Sequence, residues 1–358
     1  MHSIFVINPG STSTKIALYK DRTETFHESL THSADELAAF PTILSQFDMR
    51  QQAILAFMNK NNILLSSIDA FVGRGGLLRP ISSGTFAVDE EMVRDLRSAS
   101  YGEHASNLGG ILAYALSTQV KKPAFIVDPV VVDELDELAR LSGHPELPRR
   151  SIFHALNHKA MARRAAERLQ KKYAEVNLIV VHLGGGISVA SHQKGRVVDV
   201  NNALDGDGPF SPERSGSLPA GDLVRMCFSG KYDRAMILKM ITGKGGMVAY
   251  LGTNDMRQVK NRIKSGDERA DTVFRAMAYQ ISKEIAAHGA VLKGDVDAIV
   301  ITGGIASDTQ FVEWISERCA FLAPVMVIPG ESEMEALAFG VLRVLLHQEE
   351  AKKYCATV

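Results

Sequence analysis

Two stretches of this chain, one at the N-terminus and one near the middle, repeat the same succession of residue types. Ile4-Phe5-Val6-Ile7-Asn8-Pro9-Gly10-Ser11-Thr12-Ser13-Thr14-Lys15-Ile16-Ala17-Leu18-Tyr19 passes from an apolar, β-branched run through a turn rich in Gly, Ser and Thr into an alternating run. Asn177-Leu178-Ile179-Val180-Val181-His182-Leu183-Gly184-Gly185-Gly186-Ile187-Ser188-Val189-Ala190 does the same. Each reads as a β-hairpin. Setting His182 on Asn8 also sets Gly184 on Gly10, Ser188 on Thr14 and Ala190 on Ile16, an offset of 174 residues (182 minus 8). A period of nearly half of a 358-residue chain is too long for a solenoid. It indicates two similar domains, each presenting a glycine-rich hairpin to a shared cleft.

The chemistry of the first turn points to an anion. It holds four hydroxyls, an amide and a lysine within eight residues, where a hairpin with no task needs only a Gly or Asn. Gly10 lets the backbone approach closely, the N–H groups and the hydroxyls of Ser11 and Ser13 donate to oxygens, and Lys15 adds a point charge. In the strand that follows, Lys15 and Ala17 are expected to point outward, Ile16 and Leu18 inward. This is no Walker A loop, because G-x-x-x-x-G-K-[ST] is absent and a strand follows. A Ser/Thr-rich surface turn is the competing reading of these residues.

Length and composition set bounds. At 358 residues and 46% hydrophobic content the chain supplies two cores. Forty basic against 41 acidic residues leave a formal charge of −1, which excludes a general nucleic-acid or anionic-membrane surface. With no signal-like N-terminus and no apolar run of spanning length, a cytoplasmic protein is expected. Cys227, Cys319 and Cys355 form no C-x-x-C and are expected to be free thiols.

Further candidates lie at strand ends and turns. Ile68-Asp69-Ala70-Phe71-Val72 is a buried-type strand delivering Gly73-Arg74-Gly75-Gly76, so Arg74 either faces a cleft or sits solvated in a glycine turn. Ala124-Phe125-Ile126-Val127-Asp128 ends in a carboxylate before Pro129. Such an Asp is a metal or catalytic placement in α/β sheets, or else the N-cap of a helix over 131–141. Ser142 to Arg150, with two prolines and a glycine, is expected to link the domains. A helix starting near Ile152 carries His154 and His158 four apart on one face, without the third ligand zinc would need, so hydrogen bonding or a plain helix start is the better reading. Asn201 to Leu218 is a polar Gly/Pro-rich loop containing Arg214. Asp297 to Ala306 is a strand into the Gly303-Gly304 turn, close enough in backbone to lie along a nucleoside or phosphate. Glu331, Glu333 and Glu335 open the last helix, either as dipole partners or, for Glu333, as a hold on Mg²⁺.

In this order, the motifs resemble the acetate kinase family of the sugar kinase, heat-shock ATPase and actin superfamily, over almost the whole chain. The resemblance is greatest to the branch of that family acting on butyrate and branched-chain acids. Asn8 to Lys15 is similar to N-x-G-S-S-S-x-K, Arg74 falls on the family's cleft arginine, and His104 with Asn107 on its H-N-P element. Asp128 matches the strand-end aspartate, His154 and His158 the G-F-H-G-x-S-H stretch, His182 to Gly186 the H-L-G-N-G turn, and Arg214 the T-R-S-G arginine. Asp255 and Arg257 keep the D-x-R of the nucleotide side, Gly303-Gly304-Ile305 the A-G-I turn beneath adenosine, and Glu333 the glutamate associated with Mg²⁺. In one departure, Gly75 and Gly76 replace the bulky residues that follow the arginine in acetate kinases, and this is expected to leave room for a longer acyl tail.

The resemblance implies an α/β fold of duplicated actin-like β-β-β-α-β-α-β-α domains around a nucleotide cleft, one over residues 1–150 with the returning helix 335–358, the other over 151–334. It implies a homodimer or higher oligomer with ATP/ADP, a short-chain carboxylate and its acyl phosphate as reactants, and Mg²⁺ held around Asn8, Asp128 and Glu333. On that reading Arg74, His154, Arg214 and Asp128 carry catalysis, and Arg74, Gly75, Gly76, His104 and Phe153 meet the carboxylate; Phe153, Leu183 and Phe210 read either as apolar lining for the acyl tail or equally as core residues. The nucleotide phosphates then fall to Asn8, Gly10, Ser11, Ser13, Lys15, His182, the three glycines after it, Asp255, Arg257 and the 303–305 turn. A carboxylate is ionised at pH 7 and needs no general base, so the catalytic demand is positive charge against the equatorial phosphoryl oxygens. An acetate or propionate kinase, a sugar or polyol kinase using Asp128 as base, and a heat-shock or actin-like ATPase module remain as alternatives.

Overall fold

A computed structural model of the chain describes residues 1–354, so Cys355 lies outside the described residues. The chain forms two compact units, Met1–Val132 with the segment from Ser332 onward, and Asp133–Glu331. The segment 142–150, expected as a linker, lies inside the second unit, where Arg149 donates to Asp199 at 2.9 Å and to the Val200 carbonyl at 3.2 Å.

In the first unit, β1 (Ser3–Pro9), β2 (Ser13–Lys20), β3 (Thr23–Thr31), β4 (Ala70–Gly73), β5 (Thr85–Ala87) and β6 (Ala124–Val127) form one sheet in the order β3-β2-β1-β4-β6-β5. β1, β2 and β3 are an antiparallel meander, and β4 and β6 run parallel to β1. Their unbroken apolar runs follow from cover by helices: Asn107–Val120 and Glu333–Leu345 both pack on β1, β4 and β6. Glu333–Leu345 also reaches β2, which is why Ala17, expected to face outward, is buried. The strand-to-helix approach depends on glycine, since a Cβ at Gly73 would run into the Gly109 carbonyl.

The second unit repeats the plan with β7 (Asn177–Leu183), β8 (Ile187–Gln193), β9 (Arg196–Val200), β10 (Ala298–Gly303) and β11 (Val325–Pro329), in the order β11-β10-β7-β8-β9. β7 and β8 begin 174 residues after β1 and β2 (177 minus 3, 187 minus 13). The turns differ in one respect. Pro9 pairs with Thr14 but Leu183 with Ile187, so the glycine turn is one residue shorter. Ser188 therefore stands opposite His182 as Lys15 stands opposite Asn8, and the sequence match of Ser188 to Thr14 is off by one beyond the turn. Helix Ala155–Arg168 packs on β7 and β10, and Glu268–Val291 on β7 and β8.

Where a helix was expected over 131–141, only Glu137–Arg140 is helical. Val132 bridges to Ile81 in the first unit, and the Asp133 carboxylate binds Arg140 at 2.7 Å in the second. Among the described residues no helix is long and apolar enough to cross a membrane. Cys227 is exposed and Cys319 buried, and both are free thiols.

Candidate active site

Parallel β1 and β4 bring Asn8 and Arg74 to the same edge of the first sheet, at the carboxyl ends where open α/β sheets bind ligands. The first residue of the last helix meets them there. Glu333 accepts from Asn8 Nδ2 at 2.7 Å, and its two oxygens lie 2.9 and 3.0 Å from Arg74 Nη1. Of the other two clustered acids, Glu331 lies 3.3 Å from His182 Nε2 in the second unit.

The hairpin loop above Asn8 is organised from below. Gly10 N–H donates to the Ser13 carbonyl at 2.7 Å. The fully buried Arg50 donates to the carbonyls of Ser11 and Ser13 at 3.2 and 3.0 Å and to Thr14 Oγ1 at 2.9 Å, with Gln46 Oε1 completing its partners. Burial pulls the Arg50 guanidinium below its usual range, with Glu36 opposing. Ser11 and Lys15 are exposed and Ser13 is half-buried.

Asp128 follows β6 in a left-handed conformation, φ +38°, and caps no helix. Its Oδ1 accepts from Ser83 Oγ at 2.6 Å and from Gly84 N–H at 2.8 Å. Asn8, Asp128 and Glu333 offer only amide and carboxylate oxygens, the donor chemistry of a hard, hydrated cation such as Mg²⁺. Among the described residues no cluster of three or more His, Cys, Asp or Glu is arranged to hold a metal.

The glycines after Arg74 do not open a pocket. A Cβ on Gly75 would stand 2.7 Å from Pro129 Cβ, and one on Gly76 would run into Asn107. Neighbours already fill the space that the missing side chains vacate, which corrects the expectation of room for an acyl tail. Asn107 is a clamp, accepting from Leu77 N–H and donating to the Gly102 carbonyl, both at 2.9 Å. His104 is exposed, with Nδ1 2.8 Å from Ser106 Oγ.

In the second unit, His154 and His182 stack with ring centroids 3.9 Å apart. His182 is buried, with Nδ1 2.9 Å from Asn157 Oδ1. His154 Nδ1 and His158 Nε2 both meet Ser188 Oγ, at 2.9 and 2.8 Å, so the pair shares a hydroxyl rather than a metal. Phe153, expected against substrate, is buried edge-on to His158 at 5.2 Å, and Leu183 and Phe210 belong to the core.

Arg214 lies beneath the Gly184-Gly185-Gly186 turn. A Cβ on Gly186 would strike its guanidinium, and Ser211 Oγ ties the same loop to the Gly185 carbonyl at 2.6 Å. Nη1 donates to the Ala203 carbonyl at 2.6 Å, while Nε is buried without a partner. Burial lowers the guanidinium pKa, against the pull of Glu213. Gly303, φ +92°, ends β10 where any side chain would meet the Leu183 carbonyl. Gly304 has open space above it, and Ile305 packs on the core. Asp255 and Arg257 are not drawn to these turns. Asp255 caps helix Met256–Lys264 and pairs with Arg257 at 3.1 Å, and Arg257 is 90% exposed.

Arg50, Ser83, Ser188, His192 and Tyr173 are structural partners of the site that sequence reading missed. One signal was present: Arg50, Ile54 and Met58 fall four apart on the buried face of helix Phe47–Lys60.

A sequence model described as the acetokinase family matches residues 144–328. Butyrate kinase 2 of Clostridium acetobutylicum is 54% identical over 351 residues, 98% of this chain and 99% of that protein. Butyrate kinase 1 of the same organism is 53% identical over 354 residues, 99% and 100% of the two. Among solved structures, an acetate kinase of Porphyromonas gingivalis superposes with a TM-score of 0.79 at 19% identity, covering 96% of this chain and all of that one, a likeness of fold alone.

Proposed function

We propose that this chain, which belongs to the acetokinase family and is a carboxylate kinase, transfers the terminal phosphoryl group of ATP directly to butyrate or a similar short-chain acid, and back. The observation that carries the choice of acid is the 54% identity, along nearly the full chain, to a protein named butyrate kinase. Because Gly75 and Gly76 are packed against Pro129 and Asn107, the preference for four or five carbons rests on that identity.

The residues divide the work by charge. Arg74 presents a planar fork to the substrate carboxylate, held in place by Glu333 and, through it, Asn8. Arg214 supplies fixed positive charge and His154 an N–H donor to the transferring phosphoryl, whose charge spreads over its equatorial oxygens. The backbone of Gly10 to Ser13, of 184–186 and of 303–304 approaches nucleotide phosphates and adenosine. Asn8, Asp128 and Glu333 would hold Mg²⁺, which supplies neutralisation of phosphate charge when bound. ATP as substrate fits a cytoplasmic enzyme. A homodimer accounts for the apolar side chains left exposed on Ala220–Cys227 and Arg234–Ile241, among them Val224 (55%), Met236 (45%) and Leu238 (46%), and sedimentation velocity tests it.

Acyl hydroxamate formation with ATP, Mg²⁺ and hydroxylamine across acetate, propionate, butyrate, isobutyrate, valerate and isovalerate tests the reaction. The expected kcat/KM peaks at four or five carbons and exceeds that for acetate by about tenfold or more, the scale of methylene discrimination. A peak at acetate overturns the choice of acid; absence of product with every acid overturns the reaction.

A further inference from the structure

Behind His154 runs an unbroken file of hydrogen-bonding groups that the reaction itself does not use. His154 Nδ1 lies 2.9 Å from Ser188 Oγ, Ser188 Oγ 2.8 Å from His158 Nε2, His158 Nδ1 3.3 Å from His192 Nε2, and His192 Nδ1 2.7 Å from Tyr173 Oη. Ser188, His158 and His192 are fully buried and Tyr173 nearly so. The rings of His158 and His192 lie within 7° of parallel, with centroids 5.6 Å apart.

Burial holds His158 and His192 well below the usual imidazole range, so each is neutral, with one N–H and one lone pair. In a file of neutral groups every contact needs one donor and one acceptor, and a Ser188 oxygen accepting from both imidazoles would strand its own buried O–H, so two orders remain: all protons directed toward His154, or all directed away. The Tyr173 end decides between them. A phenol is a stronger donor to an imidazole lone pair than an imidazole N–H is to a phenol oxygen. The 2.7 Å separation sits at the short end of the N–H···O range and near the centre of the range for O–H donors. Tyr173 O–H therefore donates to His192 Nδ1, His192 Nε2–H to His158 Nδ1, His158 Nε2–H to Ser188 Oγ, and Ser188 O–H to His154 Nδ1.

We infer that Tyr173, His192, His158 and Ser188 form a proton-ordered file that fixes His154 as the Nε2–H tautomer, a standing donor for an anionic oxygen. The four are positioning residues: none touches substrate, and each acts through its neighbour. The tautomer follows from the file alone, whereas its use in catalysis rests on the role given to His154 above. No proton crosses the file during turnover; it sets which nitrogen carries one.

The test uses ¹⁵N-histidine-labelled full-length protein and two-bond ¹H–¹⁵N correlation spectra, with the His154 signal assigned by its loss in His154→Ala. The wild-type ring is expected as Nε2–H. Ser188→Ala, which deletes only a hydroxyl, and Tyr173→Phe are each expected to turn His154 into a mixture of tautomers. They should lower kcat about tenfold or more, short of the ~10⁴ that a wholly wrong tautomer costs in a hydrolytic triad, and change KM for the carboxylate less than twofold. A wild-type Nδ1–H signal, or a His154 signal unchanged in Ser188→Ala, overturns the inference. Full activity in His154→Ala overturns instead the phosphoryl role of His154 and leaves the spectroscopic result standing. Should Tyr173→Phe fail to fold, Ser188→Ala alone decides.

Discussion

Arg74 is oriented by the chain itself, with both Glu333 oxygens at or within 3.0 Å of Nη1 and Asn8 Nδ2 donating to one of the same two oxygens. The pair is part-exposed, 26% for the arginine and 19% for the glutamate, so its worth to stability is about 0–1 kcal/mol. On the role proposed for Arg74 its worth to the reaction is larger, because a lysine in its place offers a point charge without the fork that grips a carboxylate at two oxygens. Arg74→Lys is thus expected to keep its melting temperature and lose about 10³-fold or more in kcat/KM for butyrate, the range seen when positioned cations are removed from phosphoryl transfer. Steady-state kinetics beside thermal unfolding checks both halves, and activity within tenfold of the parent sinks the role. The residue types were legible in sequence, as a glycine-flanked arginine after a strand and acids at a helix start. Their meeting was not, since Asn8 and Glu333 stand 325 residues apart and periodicity carries no information across that separation.

Elements explain what single residues leave open. Helix Phe47–Lys60 buries Ile54 and Met58 in a stripe that ends in Arg50, whose donors hold the underside of the β1–β2 loop. Replacing it with the similarly long Met keeps the packing but takes a donor from four acceptors, of which the Ser13 carbonyl keeps Gly10 N–H and Thr14 Oγ1 keeps His32. At about 1 kcal/mol for each acceptor the fold should lose about 4 kcal/mol. The loop should also loosen where nucleotide phosphate is proposed to bind. Arg50→Met is therefore expected to raise KM for ATP about tenfold, leave KM for butyrate nearly unchanged, and speed amide hydrogen exchange at residues 10–14. Unchanged exchange in that loop would falsify the clamp. The same element logic accounts for the misread glycines. Gly73, Gly76 and Gly109 let helix Asn107–Val120 lie against the end of β4, a packing need that looks in sequence like an emptied pocket.

At the scale of the whole chain, the duplication was legible because strand patterns survive where turn lengths do not: both hairpins keep the 174-residue offset at their strand starts, though the second turn is one residue shorter. The chain's buried histidines were not legible, because a His among apolar residues reads alike as ligand, core or helix start. Their burial makes the fold acid-sensitive in a defined window. His158 and His192 are held well below the usual imidazole range by burial, and His288 is lowered to about 4 for the same reason. Each is neutral when folded and regains a proton on unfolding once the pH drops below about 6.5, the unperturbed value. The unfolded state then binds more protons, so stability is complete above pH 6.5 and declines as pH falls through it. Three such groups at about 1.4 kcal/mol per pH unit each predict a loss of about 5 kcal/mol between pH 6.5 and 5, a large share of a typical domain's 5–15. The carboxylates lowered by their partners, such as Asp69 and Asp95, lose their contribution only on protonation below about pH 4 and do not overlap this window. Urea midpoints at pH 7.5, 6.5 and 5.0 check the decline; a midpoint that stays flat down to pH 5 means that these imidazoles already carry charge in the folded chain, and the neutral, proton-ordered file behind His154 falls with it.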